Sequence, residues 1–126
     1  MKEEKIKVLV VEPMEKPYVK EMDNSLEAMQ AIVGGFIETV YPFEDPVVLV
    51  CNDEGKLDGL PFNRALKDDD GETYDIIQGN FFIAGLGEED FDSLPDDMIE
   101  KYTDLYSREM ILTLPKDLFG GMQGMC

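Results

Sequence analysis

The hydrophobic pattern along the chain changes period several times, and each change marks an element. Lys5–Glu12 reads Lys-Ile-Lys-Val-Leu-Val-Val-Glu, a β-branched run halted by Pro13, which predicts a strand central in a sheet. Met14–Pro17 is a turn, and Tyr18–Met22 alternates as the return strand of a hairpin. Asn24 and Glu27 have the capping-box spacing, with Asn24 as N-cap, and Leu26, Met29, Ile32 and Val33 share one helical face. Gly34-Gly35 ends that helix, because glycine enters the left-handed conformation at little cost.

Phe36–Tyr41 and Val47–Asn52 read as two further strands, joined by a Pro42–Pro46 connection that cannot continue a ladder. Asp53-Glu54-Gly55 is a turn. Gly59 and Pro61 predict an irregular Lys56–Leu66 segment, ending in a helical turn at Asn63–Leu66. Asp68–Glu72 is an acidic loop. Tyr74–Ile77 and Asn80–Ala84 are apolar runs split by Gln78-Gly79, the second a strand, and Gly85-Leu86-Gly87 is a turn. Ser93 with Asp96 is read as the cap of a last helix, with Pro95 in its first turn and Met98, Tyr102, Leu105 and Tyr106 as its buried stripe. The expected fold is α+β: a mixed, largely antiparallel sheet with one or two helices packed on it in one layer. It is read as a single domain over 1–118, with a flexible C-terminal tail at 119–126.

Composition narrows the setting. The chain has 126 residues, within the range of about 100–200 expected of one domain. No apolar run approaches the ~20 residues of a membrane span, and the N-terminal residues lack the apolar core of a secretory signal. The two cysteines, Cys51 and Cys126, do not make a disulfide framework, and free thiols suit a reducing compartment. The expected location is therefore the cytoplasm.

Net charge is −17, and it is unevenly placed: residues 21–100 carry −18, while both ends are near neutral. Direct nucleic-acid binding and anionic membranes are not expected, since both require a Lys/Arg surface. An acidic surface suits a basic partner, or solubility alone.

The chain has no histidine, no Cys-x-x-Cys pair and no phosphate-cradling glycine loop. A calcium loop anchored on Gly71 places Leu66 and Ile77 at ligand positions and fails. No nucleophile, metal or cofactor is implied, so catalysis is not expected. One stretch stands out in the acidic segment. Lys56 and Arg64 lie there beside Asn52 and Asn63, with Gly55 and Gly59 permitting close backbone approach. This basic island reads either as a polar contact pocket or as internal pairing with neighbouring acids.

Three segments of the chain, Leu26–Glu38, Cys51–Ala65 and Asp75–Asn80, resemble the family Domain of Unknown Function 3846 over about residues 5–91, with the residues after Phe91 peripheral. The resemblance rests on Val33–Gly35 with Glu38, on Asn52–Lys56, on Gly59–Pro61 with Asn63–Arg64, and on Asp75 with Gly79. It implies proteins of phages, integrative elements and plasmids of Gram-positive bacteria, with no assigned activity. Contact residues under that reading are Asn52, Glu54, Lys56, Asn63, Arg64 and Asp75. Gly34, Gly35, Gly55, Gly59 and Gly79 are read as structural.

Two functions follow as expectations. The first is an accessory protein that binds a host protein with a basic surface, for instance as a counter-defence inhibitor occupying a nucleic-acid channel. The alternative is a module that binds a small polar, nucleotide-type ligand. Homo-oligomerisation is left open.

Overall fold

β1 (Lys5–Val11) and β2 (Tyr18–Asp23) form the predicted antiparallel hairpin and lead into α1 (Leu26–Val33), β3 (Ile37–Val40) and β4 (Val47–Asn52). Then follow β5 (Phe62–Lys67), β6 (Thr73–Gln78), β7 (Phe81–Leu86), the short β8 (Phe91–Asp92) and α2 (Asp96–Arg108). This computed structural model describes residues 5–88 and 90–111. The expected tail at 119–126 lies outside the described residues, as does the end of the expected domain.

The main sheet runs β2-β1-β7-β4-β3, with β8 also beside β7, and β5 and β6 form a separate two-stranded hairpin. Every pairing among the described residues is antiparallel. β1 reaches β7 through Leu9↔Ile83 and Val11↔Phe81, and β7 reaches β4 through Leu49↔Ile83 and Val47↔Gly85. β8 and the residues after it continue along the β1 side: Leu94 N–H donates to Lys7 O at 2.8 Å, and Lys7 N–H to Ser93 Oγ at 2.9 Å.

Strand alternation sorts the core into two faces. Leu9, Val11, Leu49, Cys51, Phe81 and Ile83 point one way, against Tyr102 and Tyr106 of α2 and Leu66 and Ile77 of the hairpin. Ile6, Val8, Val10, Val48, Val50, Phe82 and Ala84 point the other way, and Met29 and Val33 of α1 join them. The helices therefore lie on opposite faces of the sheet, a correction to the single helical layer expected. Covering both faces explains why β4 is apolar at five successive positions rather than alternating. Each such side chain contributes about 1.5–3 kcal/mol on full burial.

Local chemistry departs from the sequence reading at several places. Ser25, not Asn24, is the N-cap of α1, its Oγ accepting from Ala28 N–H at 3.2 Å. The Asn24 amide instead donates to Phe91 O and Asp90 Oδ2, tying the helix start to β8. Gly34, at φ 81°, ends α1 as expected, its N–H donating to Gln30 O. Residues 62–67 form a strand rather than a helical turn. Gly85 lies inside β7, where a Cβ would stand 2.5 Å from Ser93 O, so its absence lets the chain after β8 pass closely. Ser93 serves Lys7 rather than α2, whose N-cap is Pro95. Cys51, expected as a free thiol, is buried and disulfide-bonded.

Two tyrosines lock α2 down. Tyr102 OH donates to Asp45 Oδ2 at 2.6 Å, and Lys101 Nζ reaches the same oxygen, so these hydrogen bonds lower the Asp45 pKa. Burial, then the Asp45 carboxylate, raises the Tyr102 phenol, and burial, then Glu109, raises Tyr106. A raised phenol favours folding while neutral. Its contribution is complete below the unfolded value of about 10 and falls as pH climbs past it. Melting temperature is expected to fall as pH rises above about 10, and the Tyr102→Phe/Tyr106→Phe variant to show a flatter profile there. Ser25→Ala should cost about 1 kcal/mol in urea denaturation, whereas a cap at Asn24 would have left it neutral.

Candidate functional site

The six expected contact residues do not converge on one pocket. Asn52, at the end of β4, is 3 % exposed; its amide donates to Val33 O at 3.1 Å and its Oδ1 accepts from Glu54 N–H at 2.7 Å. It ties the α1 terminus to the turn after β4. Glu54 is exposed at that turn. Lys56 and Asp75 meet at 2.8 Å, with side chains 17 % and 9 % exposed, clasping the loop before β5 to β6. Gly55 lies under the same loop because a Cβ there would stand 2.6 Å from Gln78 O.

Asn63 and Arg64 are consecutive and both fully buried. The β5–β6 register shifts between Phe62 and Arg64, a bulge that leaves Asn63 without a cross-strand partner in the ladder. The Asn63 amide donates to Val11 O at 2.9 Å and Gly79 O at 2.8 Å. Its Oδ1 accepts from Arg64 Nη1 at 2.8 Å.

Arg64 spends its remaining donors on backbone. Nε and Nη2 donate to Tyr106 O at 3.1 and 2.8 Å, and Nη2 also to Glu15 O at 2.7 Å. Tyr106 O belongs to the last turn of α2, where carbonyls lack helical partners and the dipole is negative. The guanidinium thus caps α2 from outside the helix. It makes no ion pair among the described residues, and desolvation lowers its pKa. Its ring neighbour Tyr106 lies 6.0 Å from Cζ.

Most of the other described bases are also engaged. Six ion pairs join described residues, taking up Lys5, Lys7, Lys56, Lys67, Lys101 and Arg108. Lys16 and Lys20 are the described bases outside these pairs and the Arg64 network. Exposed acids such as Asp53, Glu54, Asp58, Asp69, Asp70 and Glu72 face solvent from the ends of the β5–β6 hairpin. Asp68 holds the hairpin turn, its Oδ1 accepting from Asp70 and Glu72 N–H at 2.9 Å each.

Two surface concavities lie elsewhere, on either side of β2. One, of about 460 Å³, separates Tyr18, Lys20 and Met22 from Ala28, Ala31 and Ile32 of α1. The other, of about 610 Å³, separates Val19 from Ile99, Glu100, Thr103 and Asp104 of α2. The sequence reading did not single out these residues. The available signal was the four-residue spacing of Asp96, Glu100 and Asp104, which places three acids on one helical stripe.

If Arg64 is a structural cap, replacing it must cost stability. Arg64→Leu, which removes the donors to Tyr106 O, Glu15 O and Asn63 Oδ1, should cost about 3 kcal/mol or more in urea denaturation, and Arg64→Lys, lacking the fork, about 2 kcal/mol. An unchanged denaturation midpoint would mean that the network is dispensable.

No curated protein and no solved structure matches the chain. The family described as Domain of unknown function (DUF3846) matches residues 6–107. That span takes in nearly all of α2 with Tyr106, so residues 92–107 are part of the family's domain and not peripheral to it. The chain belongs to the DUF3846 family.

Proposed function

We propose that this protein is a non-catalytic binding module: an accessory protein of a phage or other mobile element that engages a basic surface on a host protein. The occupied surface would be a nucleic-acid-binding one, as in a counter-defence inhibitor. The mobile-element setting comes from the family resemblance. The observation that carries the binding reading is the internal use of the bases. With six of them in ion pairs and Arg64 held by carbonyls, the exposed acids have little counter-charge within the fold.

Magnitudes agree with such a partner. Duplex DNA carries one charge per ~1.7 Å of axis, so a net charge of −17 corresponds to roughly eight or nine base pairs. A domain of this length, with a radius of gyration near ~14 Å, can present that span. The small-ligand alternative has no observation in its favour at Asn52, Lys56, Asn63 and Arg64, whose polar groups serve the fold.

Affinity capture from a Gram-positive host lysate tests the reading. The expected result is a nucleic-acid-binding protein retained near ~0.15 M salt, released as screening shortens the Debye length, and displaced by duplex DNA. Charge reversal at the exposed Glu54, Asp58, Asp69 and Asp70 should abolish retention. Retention indifferent to salt, DNA and charge reversal would sink the proposal, as would no retention at all.

A further inference from the structure

The open edge of β2 carries a second argument, built on backbone rather than on net charge. Lys7 N–H and C=O both turn away from β2, to Ser93 and Leu94, so Lys7↔Glu21 is a non-hydrogen-bonded pair of the ladder. Alternation then places the hydrogen bonds of β1 and β2 at Tyr18, Lys20 and Met22. The N–H and C=O groups of Val19 and Glu21 are left pointing outward, without a partner among the described residues. Two outward residues of one strand are a template for an added strand.

The surroundings of this edge are shaped for one. A strand laid along β2 projects side chains alternately to the two faces, into the α1 groove on one side and the α2 groove on the other. On the α2 side, Asp96, Glu100 and Asp104 stand above Val19 and Ile99; Lys7 lies 4.0 Å from Asp96 and Arg108 holds Asp104 at 3.1 Å, which leaves Glu100 as the acid outside an ion pair among the described residues. On the α1 side, the helix presents the small, apolar Ala28, Ala31 and Ile32, and the strand side of the groove carries Lys5, Lys20, Glu21 and Met22. A second copy of this chain is a poor occupant. An antiparallel β2 pair with its two-fold axis at Lys20 or Glu21 sets like charges directly opposite, which is destabilising, and one with its axis at Val19 sets Pro17, which has no N–H, opposite Glu21.

We infer that β2 is a docking edge for an extended segment of a basic partner protein, in which Lys or Arg alternates with apolar residues. The inference deepens the binding reading above and rests on it, but it adds a position and a geometry. The partner adds a strand beyond β2, its basic side chains meeting the α2 acids and its apolar ones entering the α1 groove.

The probe is an eight-residue peptide alternating Lys and Val, with a scrambled peptide of the same composition as control, read by amide hydrogen exchange and by titration. Binding of the alternating peptide with new protection at the Val19 and Glu21 amides is expected. Val19→Pro removes an outward N–H that the β1–β2 ladder does not use, so the fold is retained, as unchanged protection of Val10 would show. It should weaken binding at least about tenfold, and so should Glu100→Lys/Asp104→Lys. Binding that is lost in the Glu100→Lys/Asp104→Lys variant but indifferent to Val19→Pro and to scrambling overturns the docking edge while leaving the acidic-surface reading standing. No binding at millimolar peptide also overturns the docking edge, and the salt-dependent capture then judges the broader reading by itself. A peptide-free dimer that Val19→Pro disperses overturns the choice of occupant.

Discussion

Arg64 sets the condition that the surrounding chain satisfies. A guanidinium taken wholly out of water loses its hydration and must regain it from acceptors held at fixed distances. Here those acceptors are the Asn63 side chain and the carbonyls of Glu15 and Tyr106, drawn from the β1–β2 turn and the end of α2. Three regions far apart in sequence are thereby fixed to one planar group. The β5–β6 hairpin shares no strand pairing with the main sheet, so this network, the Lys56–Asp75 clasp and the apolar contacts of Leu66 and Ile77 are what seat it. A carboxylate partner would neutralise Arg64 but bind only one neighbour, whereas carbonyls let it join several.

How much of this was legible in the sequence depends on which force acted locally. β1, β2, β4 and α1 were visible because apolar burial alone shapes them, and burial writes itself as periodicity. β5 was not visible. Its two inward side chains are an Asn and an Arg, a bulge breaks the alternation, and Gly59 with Pro61 just upstream suggests an irregular loop. The cap of α1 shifted by one residue because Asn24 and Ser25 are both competent, and a contact with β8 decided between them. The acidic bias was plain in the composition. The basic island stands out in the sequence, but its two explanations, pocket or internal pairing, are separated only by tertiary distances.

Stability and recognition draw on different parts of the molecule. Most ion pairs are exposed, and exposed pairs contribute only about 0–1 kcal/mol each, so the fold rests on the two apolar clusters and the Arg64 network. Self-repulsion among the remaining acids works against compactness, yet it falls largely on turns and helix faces rather than in the core. That separation leaves the acidic surface free to change without unseating a strand.

The strand order has a consequence during synthesis. β1 finds its second neighbour only in β7, where Leu9 meets Ile83, about seventy residues later in the chain. At ribosomal speeds of about 5–20 residues per second, the β1–β2 hairpin waits roughly 4–15 s with one edge and two apolar faces uncovered. Over that interval Val8, Leu9 and Val10 are open to wrong partners. The emerging polypeptide therefore passes through a window in which chaperone engagement, more than final stability, governs how much native protein accumulates.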